Sequence, residues 1–147
     1  MATFTLSNFD QLTSKQLYDL LELRQEVFML EQQCLYNDID GEDPRADHLL
    51  FYEKEQLLGY LRIFGPDIKF KEPSIGRIVV SPDYRGKDIG KRLIQKGIDI
   101  TFEMFKSPIR IEAQAALLEY YRSFGFKEEG EIYDVDDIDH IQMVIKY

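Results

Sequence analysis

Residues Ile75–Leu93 read IGRIVVSPDYRGKDIGKRL, and their order decides the fold. Ile75–Val80 is an apolar, β-branched run that predicts a strand ending at Ser81-Pro82. A turn containing Gly86 follows, and a helix is predicted from about Gly86 to Phe105. A strand, a glycine-bearing loop and a helix start together leave unpaired N–H groups at the positive end of the helix dipole. That geometry favours an anion such as phosphate. Gly86 and Gly90 let the backbone approach it closely. Arg85, Lys87, Lys91 and Arg92 add four cations in eight residues, although 18 basic residues face 27 acidic ones in the whole chain.

Outward from this stretch, strands and helices alternate in mixed order. Ala2–Phe9 is a weak first strand. A helix is predicted from Ser14 to about Glu31, opened by a capping box of Thr13 with Gln16 and carrying Leu17, Leu20, Leu21, Val27 and Phe28 at helical spacing. Arg24 and Glu31 fall inside its apolar stripe, which calls for an ion pair, internal or to a neighbouring strand. The segment Gln32–Asp47 is irregular and acidic. Strands His48–Glu53, Leu57–Phe64 and Ser74–Val80 follow, with a hairpin-length gap at Lys54–Gln56 and a longer loop at Gly65–Pro73. After the second helix come a strand, Ile109–Ala113, and a short helix, about Ala116–Phe124, stopped by Gly125. A closing pair, Phe126–Tyr133 and His140–Ile145, flanks the acidic loop Asp134–Asp139. The class is α/β, a mixed α+β sheet and not a regular Rossmann repeat.

At 147 residues the chain has the size of a single domain, 1–147. A net charge of −9 argues against a general nucleic-acid binder, whose affinity rests on basic surface. One cysteine, Cys34, excludes an internal disulfide framework and a cysteine-rich zinc site. No apolar run approaches the ~20 residues of a membrane span, and Met1–Phe9 does not read as a signal peptide. A soluble cytoplasmic protein is expected.

Other phosphate loops fit badly, since there is no Gly-Lys-Ser/Thr and no GxGxxG spacing. The loop resembles the pyrophosphate-binding motif of the GNAT acyl-CoA N-acyltransferase superfamily, (Gln/Arg)-x-x-Gly-x-(Gly/Ala). Arg85 and Gly90 match its ends, and Asp88 stands at the middle glycine. Ile109–Ala113, Gln114 and Leu118–Phe126 are similar, in order, to the strand, the polar residue at the splay and the Tyr-bearing helix of that superfamily. Leu23-Arg24, Val27-Phe28, Glu31-Gln32, Cys34, Tyr36 and Asp38-Ile39-Asp40-Gly41 resemble its ElaA-like branch. So do Ile75-Gly76-Arg77, Ala113-Gln114-Ala115, Gly130-Glu131-Ile132-Tyr133 and His140-Ile141.

The resemblance implies a mixed sheet of about seven strands with about four helices, splayed at its middle. It implies an N-acetyltransferase that moves an acyl group, by default from acetyl-CoA, to a primary amine of a small molecule or peptide in a ternary complex. No metal takes part. It puts the pantetheine arm against the backbone of Ile78, Val79 and Val80, pairing like a strand. The pyrophosphate falls on Arg85, Gly86, Lys87, Asp88, Ile89, Gly90 and Lys91. Gln114 would bond the pantetheine amide, and an N–H near Val80 would polarise the thioester carbonyl. Tyr121 matches the tyrosine beside the CoA sulfur and takes the acid role; Tyr120 is a packing aromatic. Glu31, Glu112 and His140 are candidates for the base, with a water chain as another route.

His48 reads as structural, and Cys34 as a small packing residue. Arg24, Arg62 and Arg77 either line an acceptor pocket with Glu31 and Asp40 or form a buried network. A homodimer is left open, and no nucleic acid or membrane partner is expected. Two other readings are a non-catalytic acyl-CoA-binding module of the same fold and a nucleotide or phosphate-sugar binder using the same loop.

Overall fold

The computed structural model describes residues 1–147. After β1 (Ala2–Asn8), helix α1 (Ser14–Arg24) opens on the expected capping box. The Thr13 hydroxyl accepts from the Gln16 N–H at 3.1 Å, and the Gln16 side chain accepts from the Thr13 N–H at 2.9 Å. Beyond Arg24 the helix widens into a π-helical stretch, Gln25–Glu31. Strands β2 (Asp47–Glu53), β3 (Gln56–Phe64) and β4 (Ser74–Val80) follow, then α2 (Ile89–Phe105), β5 (Ile109–Gln114), α3 (Leu118–Arg122), β6 (Lys127–Glu128), β7 (Tyr133–Val135) and β8 (Ile138–Ile145). No helix is long and apolar enough to cross a membrane.

Eight strands and three α-helices replace the seven and four expected. Two details account for this. The run Phe126–Tyr133 is broken at Gly130, whose φ of +90° bends the chain out of extended backbone. The acidic run Asp134–Asp139 is not an open loop: Asp136 and Asp137 take φ of +52° and +65° and turn a tight hairpin between β7 and β8. The short helix likewise divides into a 3₁₀ turn, Ala115–Leu117, and α3.

The strands form two antiparallel sheets, β1-β2-β3-β4 and β5-β8-β6 with β7 on β8. Helix α2 is the crossover from β4 to β5, which therefore run side by side in one direction. Their starts are joined by a backbone hydrogen bond, Arg110 N–H to the Pro73 carbonyl at 3.0 Å. Beyond it no ladder connects them, and the two edges diverge.

Burial explains which faces are covered. Leu93, Ile94 and Ile98 of α2 enter an apolar cluster shared by both sheets, with Leu61, Ile75, Ile111 and Met143. Gly97 allows this close approach, because a Cβ there would lie 2.7 Å from Leu61 Cδ2. Helix α1 covers the opposite face of the first sheet through Leu20 and Leu23, packed on Leu50, Tyr60 and Val79.

Candidate active site

The loop after β4 is held at its start by the Ser81 N–H donating to the Leu58 carbonyl at 2.8 Å. Helix α2 begins at Ile89 and not at Gly86, because Gly86 (φ +81°) and Asp88 (φ +58°) are both left-handed. Asp88 is thus the residue at which the chain turns into the helix. Its side chain makes no cap hydrogen bond. The middle motif position needs a residue that tolerates left-handed backbone. Glycine does so freely, and aspartate is among the few others that do so routinely. Asp88 therefore departs from the motif in charge and keeps it in backbone shape. Gly90 faces Tyr120, whose hydroxyl would lie 3.2 Å from a Cβ built there. Burial, then the nearby Asp88 carboxylate, pushes the Tyr120 phenol up. Tyr120 packs edge-on against Tyr121 and Phe124 as expected, and its hydroxyl also reaches the first turn of α2.

Between the diverging edges of β4 and β5 lies a cavity of about 230 Å³. Ile78, Glu112, Gln114, Tyr121 and His140 all line it. Alternation on β5 turns Ile109, Ile111 and Ala113 into the core and puts Glu112 and Gln114 together on the other face. Tyr121 stacks edge-on against Phe126 and is only 8% exposed. Burial, reinforced by Tyr120, pushes its phenol up to about 12, so it keeps its proton at neutral pH. The His140 Nδ1 lies 2.7 Å from the Ile138 carbonyl, which can only accept. Nδ1 therefore carries a hydrogen, and Nε2 is the ring nitrogen that the backbone does not hold.

Glu112 is already engaged. It accepts from Lys69 Nζ at 2.9 Å and from the Tyr133 hydroxyl at 2.7 Å. Burial raises its carboxyl, but Tyr133, Lys69 and His140 outweigh that and hold it low. A carboxylate so stabilised is a poor proton acceptor. Glu31 is elsewhere: it forms a two-point ion pair with Arg85 and does not line the cavity.

Arg24 and Glu31 are not partners. Arg24 is fully buried, with Nε 3.0 Å and Nη1 2.9 Å from Asp38 and Asp43. Arg62 bonds Asp40 and Asp43, each at 2.9 Å, and Arg77 bonds Asp38 at 2.8 Å. The arginines thus form a network with three aspartates from the irregular acidic segment, and Arg62 and Arg77 also reach the cavity wall. His48 joins it structurally: Nε2 donates to the Asp43 carbonyl at 3.0 Å and Nδ1 accepts from the Tyr60 hydroxyl at 2.6 Å.

Cys34 lines the cavity with its Sγ 3.7 Å from the Asp136 carbonyl, across from the hairpin tip. Of the two residues that hold Glu112, Tyr133 is marked in the sequence only by the run Gly130–Tyr133, and Lys69 by nothing. Lys69 comes from a loop with no periodicity, and its partner is 43 residues away.

Residues 10–147 match the family model described as an acetyltransferase (GNAT) domain. The chain is 40% identical over 136 residues to protein ElaA of Escherichia coli, covering 90% of this chain and 89% of that one. The crystal structure of Escherichia coli ElaA superimposes with a TM-score of 0.92 at 36% identity, over 99% of this chain and 100% of that one. An acyl-CoA N-acyltransferase from Pseudomonas aeruginosa superimposes with a TM-score of 0.93 at 37% identity, over 99% of each chain. The PaiA N-acetyltransferase from Thermoplasma acidophilum, solved in complex with coenzyme A, shares the fold alone, with a TM-score of 0.67 at 20% identity over 99% of each chain.

Proposed function

The chain belongs to the GNAT family of N-acetyltransferases, and from that membership we propose that it transfers an acetyl group from acetyl-CoA to the primary amine of a small molecule or peptide. Attack is direct, within a ternary complex. The observation that carries this reading is the cavity between β4 and β5, which gathers Tyr121, His140 and Gln114 beside two unpaired strand edges. An extended pantetheine arm would pair with the backbone groups of Ile78 and Val80, which point away from β3, whereas those of Val79 are turned to Tyr60 in the ladder. Its pyrophosphate meets the left-handed loop of Gly86 and Asp88, the start of α2 and the cations Arg85, Lys87 and Lys91.

The chemistry follows from the groups at hand. The amine nitrogen attacks the thioester carbonyl carbon, the N–C bond forms and the C–S bond breaks. His140, acting in its neutral form, accepts at Nε2 the proton the amine gives up, while Nδ1 stays bonded to the Ile138 carbonyl. The Tyr121 hydroxyl faces the departing sulfur. A thiol ionises near ~8.5, well below the Tyr121 phenol at about 12. Tyr121 therefore acts mainly by donating a hydrogen bond to the developing thiolate, and bulk solvent completes its protonation. Glu112, held low by Lys69 and Tyr133, fixes the wall beside His140 without taking the proton itself.

The test is release of free thiol from acetyl-CoA by the purified protein with a panel of small amines and peptides. Amine-dependent release, with a mass gain of one acetyl group on the acceptor, supports the reading. CoA binding with no amine-dependent release from any acceptor class would reduce the protein to a binding module.

A further inference from the structure

Strand β4 changes face halfway along its length. Ile75 packs into the cluster under α2, whereas Val79 packs on the opposite side with α1. Residues four apart on a regular strand share one face. The switch has a local cause. Tyr60 pairs with Val79 and Arg62 with Gly76, so Leu61 alone faces both Arg77 and Ile78. This is a β-bulge, and its first residue, Arg77, takes φ +50°. Glycine is the usual occupant of such a position, because an L side chain is strained there.

An arginine held there needs an external anchor, and one is present. Its Nε meets Asp38 Oδ1 at 2.8 Å, and its Nη2 meets the Asp38 carbonyl at 3.2 Å and Asp40 Oδ2 at 3.3 Å. The guanidinium also lies 5.4 Å from the centre of the Tyr36 ring, whose hydroxyl donates to the same Asp38 at 3.0 Å. Asp38 is itself fastened by buried Arg24. Tyr36 and Arg77 both line the cavity. The anchor thus ties the segment Tyr36–Asp40, on one wall, to the strand edge Ile78–Val80 that begins at the bulge.

We propose that Arg77 is a positioning residue for the acyl-CoA arm: Asp38 and Asp40 hold its left-handed backbone, and that backbone sets how the amides of Ile78 and Val80, which point away from β3, face the gap. The proposal rests on the acetyltransferase reading for the identity of the ligand, and on the bulge itself for the anchoring.

Two substitutions separate the left-handed backbone from the ion pairs that hold it. Arg77→Ala removes the side chain and leaves an L residue that relaxes out of left-handed backbone. Arg77→Gly removes the same ion pairs yet keeps that backbone accessible without strain. Both variants lose thermal stability to a similar degree. Their amides and their ligand affinity should differ. In ligand-free protein, hydrogen exchange at Ile78–Val80 rises in Arg77→Ala and stays closer to wild type in Arg77→Gly. The Kd for CoA, by calorimetry, weakens roughly tenfold in Arg77→Ala and is largely restored in Arg77→Gly. Equal exchange and equal CoA affinity in the two variants would overturn the proposal, because a purely structural ion pair moves both alike. Wild type with no affinity for CoA would overturn the acetyltransferase reading and the ligand with it, while the exchange arm alone would still decide whether Arg77 sets the edge.

Discussion

Arg85 lays Nη1 and Nη2 on the two carboxylate oxygens of Glu31, at 2.9 and 2.8 Å, and so ties the end of the π-helical stretch to the cation-bearing loop. Both side chains are nearly half exposed, at 45% and 42%. Such a pair adds only ~0–1 kcal/mol to stability. It does, however, engage the first cation that a pyrophosphate would use. Glu31→Gln is therefore expected to leave the melting temperature almost unchanged and to lower the Kd for CoA several-fold. Weaker binding in the variant would mean that Glu31 orients Arg85 for the phosphate instead of competing with it.

Asp88 combines a required backbone with an unfavourable charge. Asp88→Gly keeps the left-handed turn and removes the carboxylate beside the loop. Folding stability should hold, and CoA should bind more tightly, with ~1.4 kcal/mol for each factor of ten. A Kd equal to that of wild type would show that the carboxylate looks into solvent. Asp88→Val serves as the contrast: a β-branched residue is strained at φ +58°, so stability and CoA affinity fall together.

Tyr121→Phe keeps the ring against Phe126 and deletes the hydroxyl. A hydrogen bond to a charged group contributes ~1.5–3 kcal/mol, so turnover should fall by roughly 10–100-fold. CoA affinity and melting temperature should change little. Full turnover with a confirmed amine acceptor would transfer the role at the sulfur to another group. Tyr120→Phe separates the neighbours, since its hydroxyl points at Gly90: any loss there should appear in CoA affinity and not in turnover.

The buried network predicts an acid-sensitive fold. Burial pushes the Asp40 carboxyl up, but Arg62, the Glu42 amide and Arg77 pull it down to about 2. An unfolded aspartate titrates near ~3.9. The native state therefore binds fewer protons in that window, and this stability, complete above pH ~4, is lost as pH falls towards ~2. His48 adds a second step. Burial outweighs its bond to Asp43 and lowers its pKa, so the unfolded chain takes the proton first below ~6.5 and stability declines from there. Chemical denaturation at stepped pH measures both, and His48→Gln should flatten the upper step only. A pH-independent midpoint from 7 to 5 in wild type would remove His48 from the account.

Arg24→Met should be the most damaging of the changes considered. It takes one of two arginine partners from each of the buried Asp38 and Asp43 and leaves them to Arg77 and Arg62, a loss near the low end of the ~3–5 kcal/mol for a broken buried pair. Urea unfolding provides the number. A loss below ~1 kcal/mol would mean that water enters and solvates the carboxylates.

Much of the scaffold was legible because its determinants are local. The Thr13–Gln16 box, the apolar spacing of α1 and the β-branched run of β4 each lie within a few residues. The glycine-bearing turn before α2 was legible for the same reason. The wall of the cavity was legible where it follows the chain, in the placing of Gln114 and Tyr121 on it and in the shared face of Glu112 and Gln114. It was illegible where it depends on distant meetings. Arg77 finds Asp38 across 39 residues, and Lys69 finds Glu112 across 43. No periodicity encodes such contacts. Left-handed backbone at Arg77, Asp136 and Asp137 was also hidden, because none of these positions carries the glycine that usually signals it.

The gap between β4 and β5 has a bearing on how the molecule behaves in a crowd. Two unpaired strand edges are ordinarily an invitation to aggregate, since each offers a row of free N–H and C=O groups to any passing chain. Here each edge is screened by the other, and α2 roofs the crossover between them. A foreign sheet cannot slide into the plane of either edge without forcing the pair apart. A single thin, extended molecule can. The same narrowness that leaves room for one extended chain keeps each edge from standing open as a free strip, so access and protection share one piece of geometry.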